Sequence, residues 1–376
     1  MKMLRLTCAT ALILLVHATG ASALDPEAAA KAFLTPAETA GSDVTVTLGD
    51  VSQDGSDIVV KDVKTSTKAD GKETAFGVVS EVRLMDVTET GDGHFAAAGA
   101  VYSGMTLQVE DKLEIKIPEA RVDDMKTRNS EGDKIPMPVV YRSAEAGDIT
   151  ILVKEINATI TIDDAKFMLG DFNSDLPASG NMAITGIKVP TGAFPPGPTS
   201  PQALGYEGDI VFAINASGRA RYESSGFDLE EMTISAPEVG ALTFTLDMDN
   251  YPNLLNTENP NPMEMMNVTL NSITLKYVDD SLAVRILDQM AGQQGMEREQ
   301  FAQQMSMALP FMLSAINNQA FQEEVATAAG NFLMKPGTIE VNVKPEKPMS
   351  AAEIMGVAQS APQTLPDQLN VSVEAK

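Results

Sequence analysis

Hydrophobic and polar residues alternate over most of residues 43–277, with the period of two expected of half-buried β-strands. The clearest case starts at Val44 and Val46, turns at Asp54-Gly55 and resumes over 57–63, which predicts a β-hairpin. Similar patterns predict strands at 76–87, 105–117, 149–162, 209–217, 232–236, 242–248 and 267–277. No helical pattern separates these segments, which argues against a doubly wound α/β fold.

The alternation indicates a sheet with one apolar and one wet face. Leu113, Ile115 and Ile117 alternate with Glu114 and Lys116, a pattern that favours antiparallel over buried parallel strands. Some segments insert a spacing of three, as in Val46-x-Leu48-x-x-Val51, Val153-x-x-Ile156 and Val268-x-Leu270-x-x-Ile273. We interpret these irregular spacings as a meandering sheet, and a repeat array stays open as an alternative.

From residue 278 the period changes to that of amphipathic helices. Pro310 predicts a kink or a split in the second of three helices. A strand at 338–343, a helix at 351–359 and a last strand at 369–373 are predicted to follow. The three apolar stripes are Leu282, Ile286 and Met290; Phe301, Met305, Leu309 and Met312; and Phe321, Val325, Ala328 and Phe332.

Proline-rich segments and a capping signal complete the predicted elements. Residues 190–201 contain five prolines, and 250–262 are rich in Asn and Pro, so both are predicted loops. Near the start, Asp25 and Pro26 fit the N-cap and first position of a short helix that ends near Thr35.

These elements predict a mainly β (α+β) fold: one large antiparallel sheet, curved or elongated, with a C-terminal helical cap. The organisation expected is a signal peptide at 1–23, an N-terminal helix at 24–40, and a β-rich domain at 41–277. Residues 278–376 form a C-terminal α/β element that packs on the sheet.

The first residues carry the features of an export signal. Lys2 and Arg5 precede an apolar run at 6–16, and Ala21-Ser22-Ala23 offers a small-x-small cleavage site. The run is shorter than the ~20 residues that span a bilayer, although an uncleaved anchor is the alternative. Cleavage would remove Cys8, the only cysteine, and exclude disulfides from the mature chain. We expect a periplasmic protein, or one secreted further, without a transmembrane segment.

Strong negative charge limits the classes of partner. The chain has 27 Lys+Arg against 52 Asp+Glu, a formal charge of −25. Such a surface repels nucleic acid and anionic headgroups, so neither is an expected partner. A basic partner, divalent cations or simple solubility remain open readings.

The side chains needed for catalysis are scarce. After cleavage His94 is the remaining histidine, no Gly-x-Ser-x-Gly motif is present, and no cysteine nucleophile is left. A carboxylate pair among the 52 acidic residues stays open, although the absence of Trp disfavours a sugar site. We expect neither an enzyme nor a bound cofactor.

Two clusters could bind a ligand. Asp171, Asn173 and Asp175 have the alternating oxygens that open a calcium loop, but Leu176 and Met182 replace the Gly and Glu of an EF-hand. That leaves a looser cation site as the metal hypothesis. Eleven of the 21 methionines lie between Met263 and Met355, which fits core packing, a hydrophobic groove or Cu(I). The residues predicted for a hydrophobic ligand are Leu282, Ile286, Met290, Phe301, Met305 and Met312.

The end of the chain resembles a known class of envelope protein. Strands followed by Tyr-Val-Asp-Asp-Ser-Leu at 277–282, amphipathic helices, and Phe-Leu-Met-Lys-Pro-Gly at 332–337 resemble AsmA-like proteins. The chain is also similar to uncharacterised exported proteins of Gram-negative bacteria, and the likeness is best over 265–376. The resemblance implies an elongated sheet whose apolar concave face takes lipid, and a part in envelope homeostasis.

The leading hypothesis is therefore a non-enzymatic periplasmic protein. It would bind a lipid, another hydrophobic ligand, or a hydrophobic segment of another envelope protein. The alternative is an acidic protein-binding scaffold or adhesion module associated with calcium.

Overall fold

The computed structural model describes residues 24–35, 44–69, 72–129, 137–173, 176–251 and 262–376. It contains 53% strand and 25% helix, and its 18 strands form one open antiparallel sheet with the helices mainly C-terminal. The predicted mainly β fold with C-terminal helices is confirmed. The predicted signal peptide, residues 36–40 of the N-terminal segment, and most of the 250–262 loop lie outside the described residues.

The strands fall into an amino-terminal and a carboxy-terminal group of similar size. The first nine are β1 (Val44–Thr47), β2 (Val51–Asp54), β3 (Asp57–Ala69), β4 (Lys72–Met85), β5 (Thr88–Gly91), β6 (His94–Val109), β7 (Leu113–Thr127), β8 (Val139–Val140) and β9 (Ser143–Val153). The others are β10 (Ala158–Asn173), β11 (Leu176–Pro190), β12 (Asp209–Arg221), β13 (Gly226–Ala236), β14 (Gly240–Asp249), β15 (Thr269–Asp279), β16 (Thr338–Val343), β17 (Met349–Ser350) and β18 (Val371–Ala375).

The helices of the described residues lie mostly after β14. They are α1 (Pro26–Leu34), α2 (Pro262–Met265), α3 (Leu282–Gln293), α4 (Arg298–Met312), α5 (Gln319–Met334), α6 (Ala351–Ser360) and α7 (Leu365–Gln368). Short 3₁₀ turns occur at Thr191–Ala193, Leu313–Ile316 and Pro362–Thr364. Helix α4 continues through Pro310, so the predicted split is wrong. Pro310 has no backbone N–H and so removes one hydrogen bond of the helix, which ends two residues later at Met312.

The sheet is a meander in which strands pair with their neighbours along the chain. β1 and β2 share one side of β3, β4 and β5 share one side of β6, and the order then runs through β7 and β9 to β15 without a crossover. β16 pairs with β15, and β18 pairs with β16. With ~4.8 Å between strands, the sheet is about 60 Å wide. The C-terminal residues thus both extend the sheet and carry the helices.

Two of the predicted strands are hairpins. Segment 105–117 contains the turn between β6 and β7, and 149–162 contains the turn between β9 and β10. Glu110 (φ 51°) and Asn157 (φ 48°) adopt the left-handed conformation that these turns require. Val109 and Leu113, on either side of the first turn, are an even number of residues apart. The alternation therefore continues across this turn, and the sequence of 105–117 resembles a single strand. The hairpin predicted at 44–63 is confirmed, since β1 and β2 both pair with β3.

The cross-strand register aligns apolar side chains into rows that cross the whole sheet. Directly opposed residues of antiparallel strands project from the same face, so each row lies on one face. One row is Ile58, Leu84, Ala100, Val122, Ala144, Phe167, Met182, Ala216, Met232, Phe244, Leu275, Val341 and Val373. The adjacent row is Val60, Val82, Tyr102, Ala120, Ala146, Ala165, Ile184, Ile214, Ile234, Leu242, Tyr277, Ile339 and Ala375. We call this side the apolar face.

A line of irregular backbone crosses β3 to β11 beside the second row. At this line, which we call the crease, apolar positions recur after three residues instead of two, as at Val60 and Val63 or Ile184 and Ile187. The backbone is left-handed in alternate strands of the line, at Asp62, Gly104, Asp148 and Gly186. The residues at the crease are in register with one another: Lys61, Glu81, Ser103, Glu119, Gly147, Asp164 and Thr185. Because every strand shifts together, the apolar face continues across the crease.

Helices cover the apolar face at both ends of the sheet and leave its middle open. Phe33 of α1 is 3% exposed and packs against Ile58 and Val60, which are fully buried. At the other end α5 packs on β16 and β18, and the ring of Phe332 lies edge-on to Tyr277 at 6.1 Å between centroids. Between them Phe167 is 41% exposed.

Helix α1 is held in place by the predicted cap. The carboxylate of Asp25 accepts hydrogen bonds from the backbone N–H groups of Glu27 and Ala28 at 3.0 and 3.1 Å, and Pro26 is the first helical residue. These bonds satisfy backbone donors that a helix start leaves free, so α1 begins at a defined residue.

Candidate functional site

The open part of the apolar face contains a groove with a floor of small residues. Ala216, Gly218 and Ala220 occupy successive inward positions of β12, and Gly180 lies opposite Gly218 on β11. Ala178 extends this floor along β11. Because these side chains project little or not at all from the sheet, a trough runs along the two strands.

Larger apolar side chains form the walls of the groove. Leu169 lies opposite Gly180 on the β10 side, with Phe167 next to it. On the other side Leu229 lies opposite Gly218, and Phe227 opposite Ala220. The groove therefore results from register: bulky residues on β10 and β13 flank small residues on β11 and β12.

The groove has the size and character of a site for an apolar ligand. Its volume is about 720 Å³, within the range typical of ligand pockets. The lining also includes Met137, Tyr141, Met182, Tyr222, Met248 and Tyr251. The hydroxyl of Tyr222 donates to the backbone oxygen of Pro177 at 2.5 Å, and burial raises the pKa of this phenol. Methionine and aromatic side chains adapt to ligands of varied shape.

Arg219 lies between Gly218 and Ala220 on β12, so its side chain projects from the opposite face of the sheet, where its charge is paired. Its guanidinium lies 2.6 Å from the carboxylate of Glu230 and 3.2 Å from that of Asp171. The hydrogen bond with Glu230 is the main cause of the raised pKa of Arg219. The groove thus offers apolar contact with little unpaired charge, which suits an acyl chain or an apolar peptide segment.

A polar cluster lies where β12 and β14 end and β15 begins. The guanidinium of Arg221 contacts Asp247 at 2.6 Å and Asp249 at 3.2 Å. Asn271 donates to both carboxylates, and its hydrogen bond is the main reason that the pKa of Asp249 lies below its usual value. Burial is the main cause of the raised pKa of the adjacent Asp228. Arg221 and Asn271 thus hold both carboxylates in place, and their contacts link the three strands at this edge.

The six residues predicted for a hydrophobic ligand lie in three different settings. Leu282 and Ile286 pack against the apolar residues of the 194–212 segment, including Leu204. Phe301 is 2% exposed inside the helical cluster, and Met305 packs against it. Met290 and Met312 are 39% and 61% exposed. The structure does not gather the six, and the groove lies on the sheet instead.

The predicted cation site is only partly described. Asp171, which has a left-handed backbone (φ 48°), points its carboxylate at Arg219, and Asn173 is the last residue of β10. Asp175 lies outside the described residues. Within the parts of the chain that the structure describes, no group of three or more His, Cys, Asp or Glu side chains is arranged to hold a metal ion.

The helical region is attached to the sheet by an anchor formed by Tyr206, Ser281 and Arg285. The guanidinium of Arg285 stacks 4.2 Å from the ring centre of Tyr206 and donates to the backbone oxygens of Leu204 and Gly205 at 2.9 and 3.0 Å. The hydroxyl groups of Tyr206 and Ser281 are 2.9 Å apart. The start of α3 is thereby fixed to the loop between β11 and β12, beside the strands that form the groove.

Comparison with known proteins gives one match. A family model described as "Uncharacterized protein" matches residues 233–376, from the end of β13 to the C-terminus. That description names no enzymatic activity, and the matched residues exclude the groove strands β10 to β12. No curated protein matches the chain. Among the described residues, no helix combines the length and hydropathy needed to cross a bilayer.

Proposed function

We propose that the protein is a non-enzymatic, exported carrier or receptor that binds the apolar part of a lipid in the groove of β10 to β13. It would act in the periplasm in envelope homeostasis, as the C-terminal resemblance to AsmA-like proteins implies. The groove could instead bind an apolar segment of another envelope protein, which would make the same kind of apolar contact.

The open middle of the apolar face is the observation that carries the proposal. Monomeric proteins seldom leave a large continuous apolar surface uncovered unless it binds something. Here both ends of the face are covered by helices, while Phe167, Leu242 and Leu275 remain 40 to 42% exposed between them. Of these three, Phe167 lines the groove, and a ligand there would gain about 25 cal/mol for each Å² of apolar surface removed from water.

The ligand itself can be identified from protein purified from its native periplasm. Native mass spectrometry and organic extraction should detect a co-purifying lipid with at least one acyl chain. Release of a peptide instead would favour the protein-segment version. Recovery of neither, together with failure to bind added fatty acid, would contradict the proposal.

Filling the groove tests the site directly. In Ala216→Leu the new side chain would lie on the groove floor, and in Gly180→Leu the added Cβ would meet Leu169 and the Met168 backbone at ordinary contact distances of 3.5 and 3.6 Å. We expect each variant to weaken binding of the fluorescent fatty acid cis-parinaric acid about tenfold or more, which corresponds to about 1.4 kcal/mol. Titration of the probe's emission measures this.

The matched control is Ala213→Leu, which makes the same change on the same strand but on the opposite face. Binding should stay as in the wild type. Equal weakening by both substitutions on β12 would place the probe elsewhere. Removal of calcium with EDTA should leave probe binding and the melting temperature unchanged, whereas a calcium-dependent rise in melting temperature would favour the acidic scaffold.

A further inference from the structure

We infer that the tip of the α4–α5 hairpin docks the protein on the surface of a zwitterionic lipid bilayer. The tip consists of the last turns of α4 and the 3₁₀ turn Leu313–Ile316, which leads through Asn317 into α5. The inference concerns how the protein reaches a membrane, and it does not rest on the groove.

The tip exposes three large apolar side chains to water. Phe311 is 84% exposed, Met307 70% and Met312 61%. Met307 and Phe311 are four residues apart in one helix, so they lie on the same side of it. Helix α5 packs along α4 but leaves these three side chains uncovered.

The charge pattern indicates what covers the tip. Residues 300–322 contain no Asp, Glu, Lys or Arg, although 21% of the whole chain is charged. Charge returns directly on both sides, at Arg298 and Glu299 and at Glu323 and Glu324. Between the apolar side chains stand uncharged polar residues such as Gln303 and Ser314. Docking on another protein does not require such a gap, whereas insertion into a bilayer does, because a charge there costs several kcal/mol.

The net charge of −25 selects the kind of lipid. An anionic bilayer repels the rest of the molecule over the Debye length, about 10 Å at 0.1 M salt. A zwitterionic bilayer lets the apolar side chains insert without this repulsion. The chain therefore combines a charge-free tip with an acidic body, which favours neutral headgroups and shallow, reversible contact.

The absence of Trp from the chain provides a specific probe. In Phe311→Trp the only indole is at the tip, and with phosphatidylcholine vesicles its emission should shift to shorter wavelength and be quenched by brominated acyl chains. The control is Met334→Trp: Met334 is 50% exposed and lies at the far end of α5, about 22 Å from its start. Its emission should not change.

Vesicle composition and a tip variant complete the test. Replacing part of the phosphatidylcholine with phosphatidylglycerol should weaken binding several-fold at low salt, and added salt should close that difference. Met307→Ser combined with Phe311→Ser should lower vesicle co-sedimentation about tenfold or more, while Met334→Ser, outside both the tip and the groove, should leave it unchanged.

Three results would overturn the inference. The first is an unchanged emission of Phe311→Trp with both kinds of vesicle. The second is an equal shift of the Met334→Trp control. The third is a shift that depends on protein concentration without vesicles, which would assign the tip to a second copy of the chain.

Discussion

The carboxylate of Asp57, the first residue of β3, links that strand to the end of β4 through both of its oxygens. One oxygen accepts the backbone N–H of Asp86 at 3.0 Å, and the other lies 3.1 Å from the guanidinium of Arg83. The Asp86 N–H, and after it Arg83, hold the pKa of the Asp57 carboxyl below its usual value. The ionised form is therefore favoured in the folded protein, and this residue links folding to pH.

Asp57→Asn should make stability less dependent on acid pH. The folded pKa is depressed, so the contribution of the carboxylate is complete above the unfolded pKa near 4 and is lost as pH falls through the folded pKa. We expect the variant to be less stable by roughly 1 kcal/mol at pH 7, with the difference shrinking below about pH 4. Urea unfolding from pH 7 to pH 3 measures it.

Asp54→Asn is the matched control, because Asp54 contacts the same arginine at 3.3 Å but is 75% exposed. A surface ion pair of this kind contributes about 0–1 kcal/mol. Because an Asn at position 57 can still accept the Asp86 N–H, equal effects of the two substitutions at every pH would show that the negative charge on this acceptor contributes nothing.

At the level of elements, the anchor decides how firmly the helical region is attached to the sheet. Arg285→Ala removes two hydrogen bonds to backbone oxygens and the stacking on Tyr206. A charged donor bonded to a partly buried acceptor contributes about 1.5–3 kcal/mol, so we expect a loss of about 2 kcal/mol in urea unfolding. Arg298→Ala, whose partners Asp288 and Glu299 are exposed, should lose less than about 1 kcal/mol. A loss no greater than that of the control would mean that the anchor does not hold the helices.

Elements defined by local signals were predictable from the sequence. The Asp25 cap, the helices from Leu282 onward and the strand at 338–343 follow from caps and periodicity within a few residues. The hairpins in 105–117 and 149–162 were missed, because neither turn, at 110–112 or at 154–157, contains the Gly or Pro that signals a turn. Pro310 does not split α4, which continues for two more residues, to Met312; the predicted kink stays a prediction.

The groove could not be predicted, because it depends on pairing between distant residues. Gly180 and Gly218 are unremarkable alone, and only register places them side by side between Leu169 and Leu229. The methionine-rich helices gave a stronger sequence signal, yet Met305 is in the helical core and Met312 is in the exposed tip. Composition showed that apolar residues were abundant, but not which of them remain exposed to solvent.

For the whole molecule, burial is uneven between the two halves of the sheet. Ile58, Val60, Val82 and Leu84 are fully buried under α1, whereas most inward side chains of β10 to β14, apart from a small cluster around Ile210, are half-buried or exposed. Local opening costs least where few apolar contacts are lost. The amino-terminal strands should therefore be the most resistant to opening.

Native-state hydrogen exchange should show this difference. Amides of β3, β4 and β6 are expected to exchange at least about tenfold more slowly than those of β12 and β13, a difference of about 1.4 kcal/mol. Added fatty acid should slow exchange in β10 to β13 and leave β3 unchanged. Uniform protection across the sheet would contradict both the uneven core and the open groove.

The crease also bears on how strands find their alignment. In a sheet with strict alternation, a register shift of two residues leaves every side chain on the same face, so it does not expose the apolar side chains. Here such a slip would set the three-residue step of one strand beside the two-residue steps of its neighbour and turn residues such as Lys61 or Asp164 inward. The three-residue spacing therefore fixes the register of each strand against its two neighbours. A single-residue deletion beside it should misalign that strand with both of them, even where the connecting turn is long enough to accommodate the shorter chain.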